Sequence, residues 1–176
     1  MVTPGGSMRA VTTSVEQTRR VGAALAEIAR PRDLLLLVGD LGAGKTAFAQ
    51  GFGRGLGVTE PITSPTFALV QGYFGRLPLH HLDVYRLEQV TEAADLGLAE
   101  LLDDGSVTLI EWGDTITGVL PRDYLEVRIT FGEGPDDRVL ELTAVGPRWQ
   151  ARAKAVAEAL ARSTDATDED DGSVPC

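Results

Sequence analysis

Gly39-Asp40-Leu41-Gly42-Ala43-Gly44-Lys45-Thr46 has the spacing of a loop that wraps a phosphate: glycine, four residues, then Gly-Lys-Thr. Glycines let the backbone bend until successive N–H groups face one anion. The helix that follows aims its positive end at the same charge. In such a loop Lys45 reaches the β- and γ-phosphates and Thr46 ligates Mg²⁺. All eight residues are therefore candidate nucleotide contacts, and Lys45 is also a catalytic candidate.

A phosphate held this way needs a second acid, at the end of a neighbouring buried strand, to serve the metal. Glu111 ends the run VTLIE, and Asp83 lies within LPLHHLDVYRL. Acids at the C-terminal ends of buried strands face the ligand crevice of an open α/β sheet. That favours Glu111, with Thr46, as the metal pair. Asp83 is left to position water or to couple the site to a moving loop, with Arg86 as a local base that could instead satisfy it. His81 precedes Asp83 by two residues and shares its strand face; it either approaches the γ-phosphate or packs in the core. His80 points the other way, towards the surface. Two adjacent histidines are a poor basis for a zinc site. Trp112 is either a core residue or a wall of the site. Ser64 and Thr66, in a proline-bounded hydroxyl loop after the phosphate-loop helix, are switch candidates along with His81.

These side chains need a scaffold, and the hydrophobic pattern supplies one. Ser14 to Gln17 reads as a capping box, and Val21, Leu25 and Ile28 then share a helical face. Leu34 to Val38 is an apolar run short enough for a fully buried strand. Phe48, Phe52 and Leu56 recur at spacing four on the next helix. Strands are expected at 67–74, 77–85, 107–112, 124–131 and 139–145, with the loop GEGPDD making the last two a hairpin. A short helix broken near Gly97 is expected at 91–102. Gly146-Pro147 opens a final helix. Helices alternate with strands, so the chain reads as a single α/β domain over 13–162. Residues 1–12 read as a disordered leader, with Met8 a candidate start, and 163–176 as an acidic, disordered tail.

Composition narrows the classes. Of 176 residues, 43% are hydrophobic and 24% charged, as in ordinary globular chains. No apolar run is long enough to cross a membrane. The single cysteine, Cys176, builds no disulfide framework, which suits a reducing cytoplasm. Net charge is −10, and without the tail 21 acids still face 16 bases. Such a surface is a poor footprint for direct nucleic-acid binding. There are only two lysines, Lys45 and Lys154, and no asparagine. Without asparagine the guanine-reading Asn-Lys-x-Asp element of GTPases cannot occur.

GDLGAGKT at 39–46, SPTF at 64–67, HLDVYRL at 81–87, LGL at 96–98 and IEW at 110–112 together resemble, in order and spacing, the TsaE (YjeE) family. The likeness extends over roughly 14–145 through the first helix, GVLP at 118–121 and the hairpin. The resemblance implies a P-loop NTPase-type three-layer α/β domain with a central mixed, mostly buried sheet. It also implies ATP or ADP and Mg²⁺ as ligands, Thr46 and Glu111 as metal ligands, and a functional need for Asp83. It further implies a weak ATPase of tRNA threonylcarbamoyladenosine modification that acts on a TsaB–TsaD complex and resets it between turnovers. The tRNA would be met only through those partners. Two features depart from the family: Ala47 stands where a second threonine is usual, and the acidic tail is additional. The adenine contacts have no sharp motif; the start of the first helix near Val15 and the hairpin loop near Gly134 are the candidates. A P-loop small-molecule kinase is the rival reading. It would need arginines such as Arg54, Arg76 or Arg86 over the transferred phosphate, and no arginine-rich lid segment stands out.

Overall fold

The computed structural model describes residues 6–65, 70–84 and 97–165. In chain order the elements are β1 (Ser7–Thr12), α1 (Val15–Glu27), β2 (Leu34–Val38), α2 (Lys45–Gly55), β3 (Val70–Phe74) and β4 (Pro78–Asp83). They continue with α3 (Leu98–Asp103), β5 (Val107–Glu111), a 3₁₀ segment (Gly113–Val119), β6 (Tyr124–Phe131), β7 (Arg138–Val145), α4 (Pro147–Gln150) and α5 (Ala153–Asp165).

One seven-stranded sheet has the order β1-β7-β6-β2-β5-β4-β3. Its centre is parallel: β2 pairs with β6 on one edge and β5 on the other, and β5 pairs with β4. The flanks are antiparallel hairpins, β6–β7 and β3–β4, with β1 added antiparallel to β7. Leu35 and Leu37 join a core cluster with Val21, Phe48, Phe52 and Val156 from α1, α2 and α5. Leu34, Leu36 and Val38 face the other way, into a smaller cluster with Leu98, Ile116 and Leu120. With helices over both faces, β2 has no polar position, which is why it reads as a continuous apolar run.

α1 and α2 approach through their backbones. A Cβ on Gly51 would stand 1.9 Å from the Arg19 carbonyl oxygen, one on Gly55 2.5 Å from that of Ala23, and one on Gly22 2.3 Å from that of Phe48. Glycine lowers helix propensity, but here it permits an approach that no side chain would allow. At the far end of β2, away from the Gly39–Thr46 loop, Asp33 is buried and takes a bidentate bond from Arg152. The same guanidinium donates to the Ile28 carbonyl at 3.1 Å and lies 4.1 Å over the Trp149 ring. This clamp ties α5 to the end of α1 and the start of β2.

Several expectations need correction. Residues 7–12, assigned to a disordered leader, form β1, and Met8 is a core residue 3% exposed. β1 alternates buried and exposed residues, but a lone six-residue strand carries no partner information in its own sequence. The last helix is two, α4 and α5, separated at Ala151–Arg152, and α5 continues to Asp165 into the stretch assigned to the tail. The capping box reaches one residue further back: Ser14 accepts from the Gln17 amide at 3.1 Å, but the Gln17 side chain accepts from the Thr13 amide at 2.7 Å. α3 starts after Gly97, and what was expected of 91–96, of 67–69 and of Tyr85 lies outside the described residues. His80 does face away from buried His81 and is partly exposed, and there its Nε2 is 2.7 Å from Asp104 Oδ2. Bonds from Ser106 and His80 hold the Asp104 carboxyl down to about 2.

Gly51→Ala is expected to destabilise the protein by about 2–3 kcal/mol, since overpacking against backbone outweighs the helix propensity gained. Gly118→Ala, whose added Cβ meets nothing within 4 Å, should stay within about 0.5 kcal/mol of the wild type. Urea unfolding of the three proteins checks both; equal midpoints would contradict the close helix contact.

Candidate functional site

The site lies where three parallel strands end together. Leu37 of β2 is in register with Glu111 of β5, and Glu111 with Asp83 of β4. The Gly39–Thr46 loop leaves β2 at this edge. Gly39 is wedged there, because a Cβ would stand 2.4 Å from the Ile129 carbonyl oxygen of β6. Gly42 and Gly44 take positive φ of 80° and 116°, conformations that a side chain would strain. Leu41, at the loop tip, is 87% exposed.

Lys45 opens α2 and folds back over the loop. Its Nζ donates to the carbonyls of Gly39 at 2.6 Å and Asp40 at 3.0 Å, and lies 4.1 Å from the centre of the Trp112 ring. Trp112 combines the two roles open to it: it packs against the smaller core cluster and faces the Lys45 ammonium with its ring. It departs from the strand, with φ of 64°, immediately after Glu111. Burial pushes the Lys45 ammonium below the usual lysine range. The attraction of Glu111, then Asp83, Asp40 and Asp114, works in the opposite direction.

Thr46 Oγ1 donates to Glu111 Oε1 at 3.3 Å. Glu111 is 2% exposed, and its other oxygen is 3.7 Å from His81 Nε2. His81 is fully buried, and neither ring nitrogen has a hydrogen-bond partner among the described residues. Asp83 is buried one strand further on. The donors brought together are hard oxygens, a hydroxyl and a carboxylate, which suit Mg²⁺. Among the described residues no three His, Cys, Asp or Glu side chains group to hold a metal alone. A cation here would complete its shell with water and ligand oxygens, as Mg²⁺ does. The chemistry of the donor set therefore fits the ion that the resemblance implies.

The outlying candidates are placed less centrally. Val15, half exposed, begins α1, whose Thr18 side chain flanks Gly44. Gly134 lies in the β6–β7 turn, and its amide donates to Asp137 Oδ2 at 3.0 Å, so that amide serves the turn. Ser64 is exposed, while Thr66 and Arg86 lie outside the described residues. Two arginines that a kinase would need are engaged elsewhere: Arg76 on the Ala26 and Ala29 carbonyls, Arg54 with Glu16. One contact had no signal in the sequence. Arg138, first residue of β7, donates from Nε to the Ala43 carbonyl at 2.9 Å, across 95 residues.

A glycine loop leaving a central parallel strand, with a carboxylate ending the next strand and helices on both faces, belongs to a three-layer α/β fold of the P-loop NTPase type. Within that class the chain belongs to the TsaE family. The profile of the threonylcarbamoyl adenosine biosynthesis protein TsaE matches residues 12–139. The chain is 44% identical over 140 residues to the tRNA threonylcarbamoyladenosine biosynthesis protein TsaE of Bacillus subtilis, covering 79% of this chain and 87% of that one. It is 41% identical over 138 residues to the Streptomyces coelicolor protein of the same name, covering 74% and 93%. The crystal structure of Bacillus subtilis YdiB superposes with a TM-score of 0.75 at 37% identity, covering 90% of this chain and 97% of that one.

The depressed ammonium gives a pH signature. An anion beside Lys45 favours the charged form, so affinity is full below the Lys45 pKa and falls as pH rises through it. Because that pKa is lowered, pyrophosphate affinity should begin to fall at a pH below the ordinary lysine range. Lys45→Arg stays charged throughout. Calorimetric titrations at increasing pH should show the wild-type affinity falling relative to that of the arginine variant; a constant ratio would contradict the assignment.

Proposed function

We propose that the chain is an ATPase of low intrinsic rate that binds ATP or ADP with Mg²⁺ and serves the formation of threonylcarbamoyladenosine in tRNA. One observation carries the nucleotide reading: Thr46 and Glu111, 65 residues apart, meet at 3.3 Å beside Lys45. The family to which the chain belongs carries the pathway.

Mg²⁺, when bound, offsets the charge that develops on the β- and γ-phosphates. Thr46 and Glu111 would hold it. The loop amides from Leu41 to Thr46 and the start of α2 receive the phosphates. Lys45 exchanges the Gly39 and Asp40 carbonyls for phosphate oxygens, and the Trp112 ring walls its path. Asp83, level with Glu111 on the adjoining strand, would orient water or pass a signal to the residues that follow it. His81 packs behind Glu111 and limits where that carboxylate can turn. Val15 is offered as an adenine contact because it is an exposed apolar residue at the end of α1 that flanks the loop.

Hydrolysis then resets a TsaB–TsaD complex between turnovers, and the tRNA is met through those partners. The charge of −10 supports this indirect route, since an acidic surface repels a phosphate backbone. No helix among the described residues is long and apolar enough to cross a membrane, and the proposed site of action is the cytoplasm.

Reconstituted tRNA modification with TsaB and TsaD tests the reading. Product should exceed one equivalent of complex only when this protein and ATP are present, and Lys45→Ala should abolish the excess. Glu111→Ala should lower ATP turnover by about 100-fold. Multiple-turnover yield indifferent to the protein would sink the proposal. Phosphorylation of a small molecule well above water hydrolysis would establish the kinase instead.

A further inference from the structure

The phosphate loop is held unequally along its length. Its first glycine, Gly39, is fixed by backbone contact with Ile129. Its middle glycine, Gly42, would meet nothing within 4 Å even with a Cβ. Its last, Gly44, has only loose neighbours: a Cβ there would find Thr18 at 3.8 Å and Ile129 at 4.0 Å. Packing holds the Ala43–Gly44 peptide from the Ala43 side, where the methyl is buried in the core and the amide donates to the Asp40 carbonyl at 3.0 Å, and leaves its glycine side loose. Its carbonyl oxygen accepts from Arg138 Nε at 2.9 Å.

Arg138 is itself tightly built. Its Nη1 donates to the carbonyls of Pro135 at 3.1 Å and Asp137 at 2.8 Å. Its guanidinium carbon lies 4.7 Å over the ring of Phe131, its cross-strand partner in the hairpin. The Gly132 amide donates to the Asp137 carbonyl at 2.9 Å and the Gly134 amide to the Asp137 carboxylate, so the turn behind the arginine is closed. The charged donor is therefore presented to the loop in one orientation.

A trans peptide points its N–H opposite to its C=O. An arginine holding the Ala43 carbonyl from behind thereby aims the Gly44 amide to the other side, into the concave face of the loop. We propose that Arg138 is a positioning residue that preorganises the Gly44 N–H for phosphate. This rests on the nucleotide reading above and assigns the C-terminal hairpin a part in it. Arg138 acts through the loop backbone, so its effect follows the phosphates and ignores the base.

Arg138→Leu keeps the aliphatic bulk over Phe131 and removes the donor. It should weaken ADP and inorganic pyrophosphate by the same factor, about tenfold, measured with chelator present to exclude metal. In the ligand-free protein the Gly44 amide resonance should shift and broaden, while that of Gly39 stays in place. Arg138→Lys, which keeps the charge and guards against a folding defect, should change both in the same sense by less. Unchanged affinities with an unchanged Gly44 resonance would overturn the proposal. So would loss of ADP affinity with pyrophosphate affinity intact, which would place Arg138 at the base. A wild-type protein that binds neither probe would instead remove the nucleotide reading, and the Gly44 resonance would still report on Arg138.

Discussion

Leu34 to Val38 have no face turned to water and no edge left unpaired. A strand so placed cannot shift without disturbing a core on each side and a hydrogen-bond ladder on each edge. Slipping its register by one residue would exchange the two clusters that Leu35 and Leu36 serve. The loop that leaves β2 consequently starts from a fixed point. Glu111 and Asp83 are fixed to the same level because they end strands hydrogen-bonded in series to β2. The helices that cover the strand, not the site residues, supply the apolar area that keeps it in place.

Much of this could be read from the sequence because its causes are local. A five-residue apolar run followed by the glycine spacing announces strand, loop and helix. An acid closing another apolar run announces a strand end at the same crevice. Thr46 and Glu111, the two residues expected as metal ligands, share a hydrogen bond of 3.3 Å. Trp112 could not be assigned, since its role depends on a left-handed backbone turn that no residue pattern signals for tryptophan.

What the sequence hid depends on distant partners. Gly22, Gly51 and Gly55 look like weak points in two helices until the helices are laid together, when each becomes the place where a backbone passes. β1 looks like a ragged leader until β7, more than a hundred residues later, offers it an edge. Arg138 is one arginine among 14, and only the hairpin brings it behind Ala43. Asp33 carries no mark in the sequence of its partner, yet it is the buried acceptor for Arg152, 119 residues away.

The position of β1 has a consequence for the order of assembly. Chains emerge from the ribosome N-terminus first, and among the described residues the first strand made pairs only with the last one. β2 likewise waits for β6 before its second edge is covered. Until residues 124–145 are synthesised, the growing chain carries open strand edges and an uncovered apolar strand. Contacts of such sequence separation slow folding and leave nascent chains exposed to aggregation. The hairpin that closes the sheet thus sets the time at which these strand edges are covered.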